Sequence, residues 1–273
     1  MKRGEREWRL VREESWDGPM NMALDEVAAA TAAEGGPRTL RVYRWEPSTL
    51  SLGYQQNIDT IDWAFCEQKG ISITRRPTGG GGIYHDSWGD LSYSIIAPAE
   101  ELPGNLIETY ERLCEPIFVA FSRLGVPARF AEESLPVIYQ PSCYLREVHP
   151  AHDVVVPERG GTRKLSGNAQ YRKKDAIIQH GSITFESVPE RHLGVFSNPE
   201  TTVGEFEERV TSLREHGVED REEAVETIEE SLGEWANAEE GVWTDEELED
   251  ARERAEEKFA SESWNEDRID PLE

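Results

Sequence analysis

The stretch with the greatest chemical potential is a glycine-rich loop, residues 75–86, which read RRPTGGGGIYHD. Consecutive glycines leave peptide N–H groups bare, and Arg75 and Arg76 add positive charge, a combination that suits an anion. A P-loop would continue with Lys-Ser/Thr and a Rossmann turn would open a helix, whereas a strand pattern follows here. The loop predicts an anion held on a sheet-borne loop, and a flexible hairpin tip capped by His85 and Asp86 is the alternative.

A cysteine in an irregular segment is the second candidate for chemistry. Cys143 lies in residues 141–144, PSCY, upstream of His149 and His152. It could be a small apolar side chain under a loop, or a nucleophile whose pKa is lowered by the histidines. A zinc site would need a fourth ligand, which the segment lacks, so no metal is predicted.

A lysine-containing stretch, residues 164–170, KLSGNAQ, is the third candidate. A compact ammonium such as that of Lys164 can stabilise negative charge on phosphate or carbonyl oxygens. The alternative is a solvated lysine in a basic cluster with Lys173 and Lys174.

The composition limits the classes of function. The chain has 273 residues, 37% hydrophobic, and a net charge of −26; residues 205–273 hold 27 acids and 7 bases. This surplus opposes nucleic-acid binding and favours a high-salt cytoplasm, with an acidic tail in an ordinary cell as the alternative.

No run of 18 apolar residues occurs, and residues 1–5 lead into charged sequence, which predicts a cytoplasmic protein without a membrane span or signal peptide. Three distant cysteines predict no disulfide framework, with Cys66 and Cys114 in the core.

The elements around these candidates predict an α/β (α+β) fold. We expect a mixed, mainly antiparallel sheet flanked by helices, with a catalytic domain at 1–204 and an acidic helical segment at 205–273 packed on the same domain. Strands are expected at 8–11, 39–45, 49–54, 70–74, 91–96, 128–130, 153–156, 163–167 and 176–183. Helices are expected at 19–28, 62–69 and 105–124, the last kinked at Pro116.

Three separated stretches resemble those of lipoate–protein ligases. They are residues 75–86, residues 164–170 and residues 179–183, QHGSI, and the segments NMALDE at 21–26 and KFASESWN at 258–265 also fit. The resemblance implies the fold shared with biotin ligases and the attachment of lipoyl or octanoyl groups to a lysine of lipoyl domains in 2-oxoacid dehydrogenase or glycine cleavage proteins.

The resemblance also implies site residues. Lys164 would touch the acyl carbonyl and phosphate, Arg75 and Arg76 would form a charged rim, and Asp153 would face the adenylate. The implied binding residues are Arg75, Arg76, Gly80, Gly81, Gly82, His85, Asp153, Ser166, Gly167, His180 and Gly181. A ligase would use ATP with Mg and form lipoyl-AMP from lipoate.

Two chemistries of the same fold remain open. Octanoyltransferases of this kind carry a cysteine in a piece like Pro-Ser-Cys-Phe, which residues 141–144 resemble, and take the acyl group from an acyl-carrier protein. Residues 85–90, HDSWGD, look more like the ligase pattern. We therefore expect an ATP-dependent ligase, with a separate accessory subunit as a candidate partner and the Cys143 octanoyltransferase as the alternative. A biotin ligase is a more distant alternative. An alternative of another class is a non-catalytic lipoyl-domain-binding protein, which would not need Lys164.

Overall fold

The computed structural model describes residues 7–102, 104–172 and 175–272. The leading residues 1–5 and the lysine pair at 173–174 lie outside this part of the chain. The strands within it are β1 (Trp8–Trp16), β2 (Arg38–Trp45), β3 (Thr49–Leu52), β4 (Ser72–Arg75), β5 (Ile83–His85), β6 (Asp90–Pro98), β7 (Arg129–Phe130), β8 (Asp153–Glu158), β9 (Gly161–Arg172), β10 (Ala176–Thr184) and β11 (Glu239–Glu240). The α-helices are α1 (Gly18–Ala33), α2 (Trp63–Lys69), α3 (Leu106–Arg123), α4 (Pro189–Gly194), α5 (Val203–Arg209), α6 (Arg221–Ala236), α7 (Asp245–Arg254) and α8 (Glu262–Asn265).

An eight-stranded sheet forms the centre of the molecule, in the order β11-β1-β2-β6-β10-β9-β8-β7. The pairs of β1 with β2 and β11 are parallel, and the remaining pairs are antiparallel. β6 and β10 are buried along their whole length, as expected for central strands covered on both faces. This arrangement confirms the predicted mixed sheet flanked by helices.

Helices cover both faces of this sheet. On one face, α1 contributes Met22, Leu24 and Val27 to a cluster that also includes Phe259. Asp17 caps the start of this helix, and its side chain accepts from the amide of Met20. On the other face, α3 and α6 pack together over a second apolar cluster. Among the helices of the described residues, none is long and apolar enough to cross a membrane.

The glycine-rich loop connects two strands of a smaller sheet. β4 and β5 flank it, but both pair with β3, in parallel and antiparallel fashion respectively, and not with each other. The hairpin-tip alternative is therefore wrong. β5 was not predicted, because three residues are too few to show an alternating pattern.

The structure also tests the predictions for α3, the acidic segment and two of the cysteines. α3 continues through Pro116 as one helix. The acidic segment is helical as expected but adds β11, which pairs with β1 at the sheet edge. Cys66 and Cys114 are buried as predicted, and burial raises the pKa of each thiol to about 12.

Candidate active site

A cavity of about 370 Å³ opens between the glycine-rich loop, the short turn Cys143–Leu145 and strands β8 to β10. Of the residues predicted from the sequence, those that line it are Arg76, Gly80, His85, Cys143, Asp153, Lys164, Gly167, His180 and Gly181. Those that do not line it are Arg75, Gly81, Gly82 and Ser166. The two histidines downstream of the cysteine, His149 and His152, also face the cavity. Sequence stretches far apart in the chain thus meet at one place.

Lys164 lies on β9 with its ammonium group held by the protein. Its Nζ is 2.8 Å from Oδ1 of Asp153 on β8 and donates to the carbonyl oxygen of Cys143 at 3.1 Å. Burial opposes the charge on Lys164, but the Asp153 carboxylate outweighs it and raises the pKa of Lys164. The pKa of Asp153 is lowered, because Lys164 and His152 overcome the opposing effect of burial. The pair is therefore charged, with the ammonium beside the cysteine.

Cys143 is partly exposed and begins a single 3₁₀ turn. Its amide donates to the carbonyl of Gly82 at 2.9 Å, and the amide of Gly82 donates to Pro141 at 2.7 Å. A Cβ at Gly81 would lie 2.5 Å from the Pro141 oxygen and 2.8 Å from the Cys143 nitrogen. The close backbone approach that a glycine run suggests is therefore made to the cysteine segment of the chain itself.

Arg76 shapes the glycine-rich loop from inside. Its guanidinium donates to the carbonyls of Gly79 (2.9 Å) and Gly81 (2.7 Å). The remaining donors contact Thr78 Oγ1 and both oxygens of Ser51. All five N–H groups are thus in use, so Arg76 supplies positive charge at the cavity wall without a free donor.

Arg75 does not form part of a charged rim. It is fully buried and donates to four backbone carbonyls, those of Gly53, Tyr54, Gln56 and Asn265. Burial lowers its pKa to about 10. The residue joins a turn after β3 to the C-terminal helix α8, so its role is structural and the predicted rim is corrected to Arg76 alone.

Two cavity histidines are fixed by partners on both ring nitrogens. His85 lies 3.1 Å from Asp90 through Nδ1 and 2.8 Å from Ser51 through Nε2, and its ring stacks on Trp45. Burial lowers the pKa of His85. His180 contacts Asp25 through Nδ1 at 3.3 Å and Thr78 through Nε2 at 2.8 Å.

The acidic partners of these rings were missed from the sequence. Asp25 and Asp90 stand within stretches that were noted, but neither was assigned a role. Asp25 lies on α1 and also contacts Arg41, while Asp90 begins β6. A short stretch of sequence can mark these aspartates as candidates. It cannot show that Asp25 contacts His180, which lies 155 positions away in the chain.

The described residues contain no group of three His, Cys, Asp or Glu side chains placed to hold a metal ion. The stacked rings of His149 and His152, with centroids 4.9 Å apart, therefore stand beside the cavity without forming a metal site with Cys143.

Comparison with known proteins assigns this arrangement to a family. A family model described as the lipoyl protein ligase A/B catalytic domain matches residues 17–233. The octanoyltransferase LipM of Kyrpidia tusciae is 34% identical over 94% of this chain and 98% of that protein. The octanoyltransferase LipM of Bacillus subtilis is 33% identical over 94% of this chain and 97% of that protein.

Solved structures agree in fold. A lipoate-protein ligase A bound with ATP superposes with a TM-score of 0.79 at 25% identity, covering 96% of this chain and 100% of that one. A bi-partite lipoate protein ligase from Thermoplasma acidophilum gives a TM-score of 0.80 at 24% identity, covering 97% and 98%. The family model matches most of the chain, and the relatives are matched over nearly their full length. The chain therefore belongs to the lipoyl protein ligase A/B catalytic domain family and is an acyl-transferring enzyme.

Proposed function

We propose that this enzyme is an octanoyltransferase that carries the octanoyl group as a thioester on Cys143. The observation that carries the proposal is a partly exposed thiol at a cavity wall whose backbone carbonyl contacts the Lys164 ammonium. The names of the relatives support the same chemistry. The sequence alone favoured the ATP-dependent ligase, so the preference between the two alternatives is reversed here.

In the first step, the Cys143 thiolate attacks the carbonyl carbon of an octanoyl thioester on an acyl-carrier protein. A C–S bond forms to Cys143, the C–S bond to the carrier breaks, and the carrier thiolate takes a proton from solvent. The ammonium of Lys164, held by Asp153, donates to the carbonyl oxygen of Cys143 and so places positive charge beside the segment that carries the attacking sulfur.

In the second step, a lysine of the lipoyl domain takes the acyl group. Its amine nitrogen forms an amide bond to the acyl carbon as the C–S bond to Cys143 breaks. Negative charge develops on the acyl oxygen in both steps, and a fixed positive group beside that oxygen stabilises the transition state. Lys164 is the group in position to do so, with Arg76 adding positive charge from the glycine-rich loop.

The ligase alternative makes different demands on the same residues. A nucleotide triphosphate needs free donors, yet all five N–H groups of Arg76 and the amide of Gly82 are already bonded within the protein. The donors of Arg76 and the Gly82 amide are thus not available to phosphate oxygens, which supports an acyl thioester as the donor. The accessory subunit expected for the ligase is then not required.

A mass-spectrometric assay separates the two chemistries. Enzyme mixed with octanoyl-carrier protein and no ATP should gain one octanoyl group, removable by hydroxylamine, and should pass it to a lipoyl domain. Cys143→Ser should lose nearly all turnover, since a serine hydroxyl stays protonated at neutral pH. Cys66→Ala, which changes a buried thiol outside the cavity, is the control and should keep the adduct. Transfer of free octanoate by Cys143→Ser at the parent rate with ATP would support the ligase instead.

A further inference from the structure

The proposed transfer requires a proton acceptor that the cysteine and lysine do not supply. An acceptor lysine has a pKa near 10.4 and arrives at neutral pH as an ammonium, which cannot attack a thioester. Lys164 cannot take its proton, because the Asp153 carboxylate keeps Lys164 itself charged. Asp153 is unsuitable too, because its pKa is lowered and both its oxygens are engaged. The base must be another group at the cavity.

Three of the four histidines at the cavity are excluded by their hydrogen bonds. His85 and His180 each contact a carboxylate through Nδ1 and a hydroxyl through Nε2, which occupies both nitrogens. His149 accepts the amide of Ala151 on Nδ1 at 3.1 Å, so its ring proton is on Nε2 and its basic nitrogen is occupied.

His152 is the remaining ring, and its orientation suits a base. Its Nδ1 is buried, lies 3.6 Å from Oδ1 of Asp153 and has no hydrogen-bond partner within the described residues. A carboxylate only accepts, so the ring proton belongs on Nδ1 and the lone pair on Nε2. The side chain is 33% exposed although Nδ1 is buried, and the residue lines the cavity.

The surroundings hold the ring of His152 in place. It stacks against His149 with an interplanar angle of 6° and packs near Tyr110 of α3 at 5.5 Å between centroids. Its own carbonyl accepts from the side chain of Asn168 on β9 at 2.8 Å. The charged groups near the ring are Asp153 and its partner Lys164, and His149 is the titratable group stacked on it.

We propose that His152 is the general base for the second step, with Asp153 as its positioning residue; this rests on the proposed function. The acceptor ammonium gives one proton to Nε2 of His152 and becomes the nucleophilic amine. Its nitrogen bonds to the acyl carbon, the C–S bond breaks, and the second proton passes to the departing Cys143 sulfur. His152 then releases its proton to solvent. The first step involves no amine that must lose a proton, so it does not use His152.

Single-turnover kinetics test the two steps separately. Octanoyl-enzyme is formed from octanoyl-carrier protein, isolated, and mixed with a lipoyl domain across a range of pH. For His152→Gln, thioester formation should stay within about twofold of the parent, while transfer should fall about 10²-fold or more, the usual contribution of general base catalysis. Its transfer rate should rise with pH without the inflection of the parent, since only the free amine fraction reacts.

A histidine outside the cavity lining provides the control. His216→Gln changes a ring that contacts Thr211 and Glu158, and it should keep both rates and the parent pH profile. A His152→Gln enzyme that transfers at the parent rate with an unchanged pH profile would overturn the proposal. So would equal loss of both steps, because His152 would then act on the thiol or on folding. A parent enzyme that forms no thioester would instead reject the proposed function, and this proposal with it.

Discussion

Lys164 was identified from its sequence stretch as a residue for chemistry, and its contact with Asp153 gives it a second role in stability. The pair is almost fully buried, with Nζ and Oδ1 2.8 Å apart. Removing one member of such a pair leaves an uncompensated charge and typically costs about 3–5 kcal/mol. Substitution of the lysine therefore affects folding as well as chemistry, which the sequence alone did not indicate.

We predict that Lys164→Met lowers the acyl-transfer rate at least about 10²-fold and destabilises the protein by about 3–5 kcal/mol. The double variant Lys164→Met/Asp153→Asn removes both charges and should regain most of the stability but none of the activity. Urea unfolding and the mass-spectrometric assay measure the two quantities. Recovery of activity in the double variant would contradict the assigned role of Lys164.

The lowered pKa of Asp153 predicts a loss of stability in acid. Its pKa in the folded protein lies below the unfolded value of about 3.9. Its contribution is therefore complete above that value and declines as the pH falls toward the folded pKa. The free energy of unfolding of the parent should drop relative to that of Lys164→Met/Asp153→Asn as the pH falls from about 5 to about 3. Parallel curves for the two proteins would show that the pair does not contribute in this way.

Residue types and local stretches predicted part of the site but not its connections. Cys143, Lys164 and His180 were found because each stands in a distinctive short stretch. The pairs of His85 with Asp90 and of His180 with Asp25 depend on which strands lie side by side, and strand order is not written in a local pattern. Arg75 was misassigned for the same reason, since its carbonyl partners come from distant turns.

At the scale of elements, the glycine-rich loop is a support for the turn that carries Cys143. In the run of four glycines only Gly80 has a positive φ, 102°. Gly81 is instead required for space, because a Cβ there would meet the backbone of the Cys143 segment. The general features of the loop were predictable from its glycines, but the neighbour that it touches was not.

We predict that Gly81→Ala slows thioester formation about 10-fold or more, because the added methyl displaces Cys143, and costs about 1–3 kcal/mol through overpacking. Gly79→Ala is the matched control. A Cβ at Gly79 meets nothing within 4 Å and its φ is not positive, so both quantities should be unchanged. Quenched-flow assays measure the rate of thioester formation, and thermal unfolding measures the change in stability. Equal rates for the two alanine variants would argue against the supporting role.

At the scale of the whole molecule, the acidic C-terminal segment contributes to the core. Ala224, Ile228 and Leu232 of α6 belong to the same apolar cluster as Leu40 and Leu91 of the sheet. Ion pairs also join this segment to β1, such as Arg9 with Glu247 and Arg12 with Glu229. We propose that residues 205–273 fold together with residues 1–204.

This proposal predicts one cooperative unfolding transition for the full chain. A fragment ending at residue 204 should remain unfolded, since it lacks α6 and exposes the cluster that this helix covers. Circular dichroism and urea titration check both statements. Two separate transitions, or a stable fragment, would support two independent units.

The net charge of −26 leads to a prediction about salt. Molar KCl shortens the Debye length to about 3 Å and screens repulsion among exposed acids, while buried pairs such as Arg9 with Glu247 are screened far less. The melting temperature should therefore rise between about 0.1 M and about 1 M KCl. A flat or falling melting temperature would reject the high-salt interpretation.

The attachment of the glycine-rich loop to residues 258–265 extends the influences on the active site beyond its cavity. Trp264 donates to the carbonyl of Arg75 at 2.7 Å, and Arg75 donates to Asn265. Lys258 forms a buried pair with Glu26 of α1. Neither Trp264 nor Lys258 lines the cavity, so a change at either residue reaches the reaction through the loop that supports Cys143. These residues therefore act on the chemistry from a distance, as an anchor for the loop.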